Sequence, residues 1–221
     1  MSAPAWDTIA RIETPFDQKF GVPRQSGIAD CPGRIVFEKP FRDADAVRGL
    51  EGFSHIWLIW QFDRALRQGW SPTVRPPRLG GNARRGVFAT RSPYRPNALG
   101  LSCVELSGIE NGDILVKGAD LLDGTPVFDI KPYLPYVDAH PEARGGFTEQ
   151  TAAYALEVQC PQPLLDKLPE NKRAALLGVL KNDPRPAYQH DPDRVYAMDF
   201  GGYRVQFQVG ESMLTVIDIQ K

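Results

Sequence analysis

The chain has 221 residues, 42% hydrophobic and 24% charged, with a formal net charge of -1. That length buries a sizeable core in one large domain or two small ones. No apolar run approaches the roughly 20 residues that span a bilayer. The opening "MSAPAWDTIARIETPF" lacks a basic n-region followed by an apolar h-region, so no export signal is expected. Cys31, Cys103 and Cys160 have neither disulfide-framework density nor CxxC spacing, so a reducing cytoplasm without a zinc site is the expected setting.

In chain order, "TIARIET", "GRIVFE", "HIWLIWQF", "GVFAT", "LGLSCVEL", "DILVKGADLL" and "PVFDIKPYL" are rich in β-branched and aromatic residues, and several alternate. Turn signals fall between them at Pro32-Gly33, Asn111-Gly112-Asp113 and Asp123-Gly124. "DADAVRGLEG" predicts one short helix, capped by Asp43 and ended by Gly49 or Gly52. Seven short strands with so little helix predict a mainly β architecture closed into an antiparallel barrel, because closure removes edge strands.

The character changes after Tyr136, where "VDAHPEARGGFTEQTA" reads as a polar linker. "LPENKRAALLGVLKND" predicts a helix with Leu168, Ala175, Leu176, Val179 and Leu180 on one face, stopped at Asp183-Pro184. "RVYAMDF", "YRVQFQV" and "MLTVIDI" predict a three-stranded meander turning at Gly201-Gly202 and Gly210-Glu211. A barrel over residues 1–140 and a small α+β domain over 141–221 are therefore expected.

The charges are unevenly spread. From Arg64 to Val104 there are eight arginines and no acid, leaving 18 basic against 27 acidic residues elsewhere. A cationic band on a mildly acidic protein suits a local anionic ligand better than a diffuse sticky surface. All its cations are arginine, whose fork pairs with phosphate and whose plane stacks on bases, and this fits RNA. Trp70 and Tyr94 are candidate stacking surfaces or plain loop anchors. Arg75, Arg78, Arg84 and Arg85 equally suit a solvated loop.

Nucleotide hydrolysis is excluded because Val87 stands where "GNARRGV" would need the phosphate-binding lysine, and no GxGxxG fingerprint of a Rossmann site is present. His55, His140 and His190 are too dispersed to read as a metal helix or triad. In "SHIWLIW", Ile56, Leu58 and Trp60 share the face opposite His55. The histidine is either a barrel residue satisfied by a polar neighbour or an inward ligand contact. In "LLDGTPVFDIKPYLPY", Asp123 either caps its own turn or receives an amino group or ribose hydroxyl, while Asp129 and Lys131 share a side of the next strand. "NDPRPAY", Asn182 to Tyr188, is a second proline-stiffened Arg and Tyr loop.

Four segments in this order, "KFGVPRQSGI", "ADAVRGLEGFSHIWLIW", "RPPRLGGNARRGVFATRSPYRPNALG" and "LLDGTPVFDIKPYLPY", closely resemble the TsaA-like family of tRNA methyltransferase O enzymes. The resemblance runs over residues 8–136, and "DPRPAY" resembles the motif of that family's C-terminal domain. It implies an S-adenosylmethionine-dependent enzyme with a β-barrel in place of a Rossmann fold. Such a homodimer methylates the exocyclic N6 of threonylcarbamoyladenosine beside the tRNA anticodon. By motif position the resemblance assigns the cofactor to Pro23, Arg24, Gln25, His55, Arg91, Leu101, Asp123, Gly124, Thr125 and Pro126. It assigns RNA phosphate to Arg75, Arg78, Arg84, Arg85 and Arg95. It assigns the modified nucleoside or the anticodon loop to Asp183, Arg185 and Tyr188, which with His55, a candidate weak base alongside water or a carboxylate, make the catalytic set, with no metal. The rival readings are a non-catalytic RNA-binding barrel and a binding module for an adenine nucleotide.

Overall fold

The computed structural model describes residues 6–66, 70–76, 83–151, 154–185, 189 and 191–221, without the side chains of 150 and 151. Arg78 and Tyr188 lie outside the described residues. Six strands close into the antiparallel barrel: β1 (Ala10–Glu13), β2 (Pro32–Phe37), β3 (His55–Gln61), β6 (Leu99–Glu110), β7 (Asp113–Lys117) and β8 (Thr125–Pro132). Their order is β1-β2-β7-β6-β3-β8, and β8 returns to β1. A two-stranded ribbon, β4 (Thr73–Val74) with β5 (Arg85–Gly86), carries Arg85, with Arg75 and Arg84 beside it.

Strand alternation fills the interior. Ile56, Leu58 and Trp60 of β3 point inward with Ala10, Ile12, Ile35, Val104, Ile114, Val116 and Val127, all buried. A barrel of this size holds side chains and leaves no lumen for a nucleoside. Asn111 and Gly112 both take positive φ (53° and 83°), which the tight β6–β7 hairpin requires.

Three local expectations fail. "DADAVRGLEG" forms two 3₁₀ turns, Ala44–Val47 and Leu50–Gly52, separated by Gly49 at φ 85°. Asp43 does cap the first, accepting from the Asp45 N–H at 2.9 Å. With Val47 as its one buried side chain, the first turn gains too little from packing to extend into an α-helix. "GVFAT" is strand only at Gly86, then a 3₁₀ turn over Val87–Ala89 closed by Thr90, whose N–H and hydroxyl both donate to the Val87 carbonyl. Pro32-Gly33 opens β2 instead of turning; proline is tolerated at a strand's first residue.

In the C-terminal part, α3 (Glu170–Lys181) buries Ala175, Leu176, Val179 and Leu180 as its period requires. The meander β10 (Tyr196–Phe200), β11 (Tyr203–Val209) and β12 (Met213–Gln220) forms as predicted. A fourth strand, β9 (Glu157–Gln159), pairs parallel to β12 and was not legible in three polar-apolar residues. The cores do not divide at residue 140. Phe16, Ala29 and Cys31 belong to the same cluster as Leu176, Met198, Phe200 and Phe207. Phe16 meets Phe200 edge-on, with ring centroids 5.7 Å apart.

Candidate functional site

The segment Pro23–Gly27 lies where the two cores meet, and it is pinned from three directions. The Gly27 N–H donates to the Gly118 carbonyl at 2.9 Å. Gly118, at φ 82° just past β7, has Gly27 Cα and N only 3.0 Å from where a Cβ would stand, so the two backbones touch as only glycine permits. The Cys103 N–H of β6 donates to Ser26 Oγ at 3.2 Å. From the C-terminal side, Arg24 donates to the carbonyls of Arg185 (2.9 Å) and Asp183 (3.3 Å).

Gln25 accepts from the Arg91 guanidinium through Oε1 and donates to the Arg24 carbonyl through Nε2. Beneath it runs a buried chain. Trp60 Nε1 donates to Ser102 Oγ at 2.9 Å, and Ser102 Oγ donates to Asp120 Oδ1 at 2.6 Å. Burial pushes the Asp120 carboxyl up to about 6, against opposing hydrogen bonds from Ser102 and the backbones of Asp120 and Ser26 and the charge of Arg91. Asp120, Ser26 and Ser102 were missed in the sequence. An acid inside the apolar run "LVKGADLL" was the available signal.

The "DPR" residues form their own unit. Asp183 and Arg185 are 8% and 6% exposed, and the guanidinium grips both carboxylate oxygens, Nε to Oδ1 and Nη2 to Oδ2, each at 2.9 Å. Tyr154 OH donates to Asp183 Oδ2 at 2.8 Å. Burial alone raises the Asp183 carboxyl, but the hydrogen bonds from Arg185 and Tyr154 and the arginine's charge take it below the ordinary range. Asp183 takes φ 50° and its N–H returns to the Leu180 carbonyl at 3.1 Å, a left-handed cap ending α3.

The remaining expected residues disperse. His55 is on the outer face of β3, correcting the inward alternative; its Nδ1 lies 3.0 Å from Ser54 Oγ and its ring neighbours Tyr133. Leu101 is also outward and 54% exposed, opposite Ile59. The Asp123–Pro126 turn lies at the far end of β3 from His55: Trp60 pairs with Val127, whereas His55 pairs with Glu105. Asp123 caps β1 and not its own turn, accepting from the Thr14 N–H at 2.9 Å. The carbonyls of Asp123 and Gly124 accept from Arg64 and Arg11. Thr125 Oγ1 bonds the Leu122 carbonyl at 2.7 Å, and Pro126 is buried opposite Arg11. The chain thus brings together Pro23, Arg24, Gln25 and Arg91 with Asp183 and Arg185, and leaves His55 and Asp123–Pro126 at opposite ends of β3. Asp129 and Lys131 share the outer face as expected, paired at 2.9 Å.

Among the arginines, Arg75, Arg84 and Arg85 are exposed on or beside the β4–β5 ribbon, with Arg85 over the Phe147 ring at 5.8 Å. Arg95 differs: it is half-buried, and its Nη1 donates to the carbonyls of Thr90 (2.9 Å) and Ser92 (3.3 Å), holding the loop that carries Arg91. No cluster of three metal-ligating side chains occurs among the described residues.

The family model for the tRNA-methyltransferase O N-terminal domain matches residues 11–139, and the model for the TrmO C-terminal domain matches 147–221. The chain belongs to the tRNA-methyltransferase O family. It is similar to the tRNA (adenine(37)-N6)-methyltransferase of Escherichia coli K12, 40% identical over 233 residues, covering 100% of this chain and 99% of the relative. A Pseudomonas aeruginosa protein described as an S-adenosylmethionine-dependent methyltransferase is 42% identical over 206 residues, 86% of each chain. A crystal structure of TrmO from Pseudomonas aeruginosa superposes with a TM-score of 0.81 at 32% identity, covering 99% of this chain and 100% of that one. Family membership accounts for the missing glycine fingerprint, since the TrmO barrel replaces the Rossmann sheet.

The donor set fits S-adenosylmethionine. Arg91 offers a fork to a carboxylate, Gln25 offers an amide, and exposed Leu101 offers an apolar surface to a purine.

Proposed function

We propose that this chain methylates the exocyclic N6 of threonylcarbamoyladenosine at position 37 of tRNA, working in the cytoplasm as a homodimer. The observation that carries the reading is the full-length correspondence with an enzyme named for adenine-37 N6 methylation, both domains included. Pro23, Arg24, Gln25, Arg91 and Leu101 hold the cofactor, and the carbonyls of Asp183 and Arg185 fix the Pro23–Gln25 segment through Arg24.

Bound S-adenosylmethionine supplies a methyl group on a sulfonium, and its transfer needs alignment of donor and acceptor more than a strong nucleophilic side chain. The chain's part is orientation. Arg24 ties the cofactor loop to the C-terminal domain, and the exposed ribbon arginines Arg75, Arg84 and Arg85 meet tRNA phosphate. His55 and the Asp123–Pro126 turn are too far apart along β3, about 20 Å over six residue steps, to serve one small ligand within one protomer. A second protomer seated on the outer face that carries Leu101, Ile59 and Trp57 supplies the missing half, which favours the dimer.

Labelled methyl transfer from S-adenosylmethionine to bulk tRNA tests the activity, and light scattering tests the dimer. A monomer with full activity would remove the shared-site argument. Absence of transfer, with cofactor binding intact, favours the non-catalytic RNA-binding barrel.

A further inference from the structure

Asp120 is a half-exposed residue with a nearly enclosed carboxylate, and nothing in the proposed transfer uses it directly. Its surroundings are more ordered than a stray buried acid needs. Ser102 Oγ donates to it at 2.6 Å and is itself held by Trp60 at 2.9 Å. Next to Ser102 on β6, the Cys103 N–H donates to Ser26 Oγ at 3.2 Å, and the neighbouring Gly27 N–H donates to the Gly118 carbonyl at 2.9 Å. One residue before Ser26 stands Gln25, joined to Arg91.

We infer that Asp120 is a positioning residue for methyl transfer, whose ionised carboxylate holds Ser102 beside the Cys103 N–H that grips Ser26, and so fixes Gln25 and Arg91 in the arrangement that receives the cofactor. The inference rests on the reading that Gln25 and Arg91 bind S-adenosylmethionine. Ionised, Asp120 accepts from Ser102 and attracts Arg91. Protonated, it loses one acceptor oxygen and the attraction.

Two titratable side chains act on Asp120 from the elements packed around it. The Arg91 guanidinium offers it a positive charge, and the Cys31 thiol, immediately before β2, is pushed up to about 12, first by burial, so it stays neutral. The ligand-competent ionised form of Asp120 predominates above pH 6 and is lost as the pH falls through about 6.

The test is calorimetric titration of the full-length protein with S-adenosylmethionine and, separately, with S-adenosylhomocysteine between pH 5 and 8. Wild type weakens about tenfold from pH 7.5 to pH 5, equally for both ligands, because positioning does not depend on the ligand's sulfur charge. Asp120→Asn binds weakly with no acid limb. Ser102→Ala, which removes a hydrogen bond that favours the ionised form, moves the limb to higher pH. A pH-independent wild type, a limb retained in Asp120→Asn, or a limb seen only with the sulfonium ligand would overturn the inference. Failure of wild type to bind either ligand at any pH would instead overturn the cofactor reading on which it rests.

Discussion

Replacing Arg185 with alanine removes both charge-assisted hydrogen bonds to Asp183, each 2.9 Å, and leaves a carboxylate 8% exposed with Tyr154 as its remaining side-chain donor. Breaking a buried pair by deleting one partner costs about 3–5 kcal/mol. For a chain of this size each kcal/mol lowers Tm by about 2–4 °C, so a fall on the order of 10 °C is expected in thermal unfolding. The same substitution loosens the two carbonyls that Arg24 grips, so cofactor affinity falls as well, although the Arg185 side chain itself engages the Asp183 carboxylate. A double-mutant cycle isolates that route: Arg24→Ala and Arg24→Ala/Arg185→Ala should share one Kd for S-adenosylmethionine, because the path runs through Arg24. A fall in Tm with cofactor affinity unchanged would refute the coupling between the loop and the C-terminal domain. An Arg185→Ala chain as stable as wild type would refute the buried pair itself.

Arg84→Ala and Arg85→Ala should each reduce the salt slope of tRNA binding by about 1 and weaken all tRNAs alike, read from filter binding across salt concentrations. Arg95→Ala should instead disturb the loop bearing Arg91 and lower cofactor affinity without changing that slope, which calorimetry and the same binding assay separate. A chain ended near residue 140 exposes Phe16, Ala29 and Cys31 and frees Arg24, so it should aggregate or bind dye as a partly folded state, checked by light scattering and near-UV dichroism. Gly100→Ala places a Cβ 2.2 Å from the Trp60 ring, so the indole must leave Ser102, at a cost of about 1–3 kcal/mol in a denaturant melt.

Strand alternation in "HIWLIWQF" and "GRIVFE" made the barrel legible, because one face of each must be apolar if the interior is packed. "GVFAT" misled for the same reason: it has strand composition, but the tertiary fold gives it a two-residue partner at Thr73–Val74 and no more. The motif resemblance carried Pro23–Gln25 and Arg91 because each lies inside a quoted segment, although only the fold shows that the Arg91 and Gln25 side chains meet. What it missed needs distant chain to meet. Asp120 matters through Ser26 and Ser102, and Arg185 faces Asp183 two residues back where a substrate contact was expected. Arg95 looked like its neighbours in a cationic run, yet carbonyls at Thr90 and Ser92 engage it within the loop. Charge patterning marks a band; it does not tell which members hold their own loop and which face solvent.

The most direct measurement pairs two tRNA preparations, one carrying threonylcarbamoyladenosine at position 37 and one with unmodified adenosine there, each incubated with the protein and methyl-labelled S-adenosylmethionine. Nucleosides from the digested tRNA are then resolved by mass spectrometry. The account predicts label in an N6-methylated threonylcarbamoyladenosine from the first preparation and no labelled adenosine from the second. Equal labelling of both, or label on any nucleoside other than that at position 37, would contradict it.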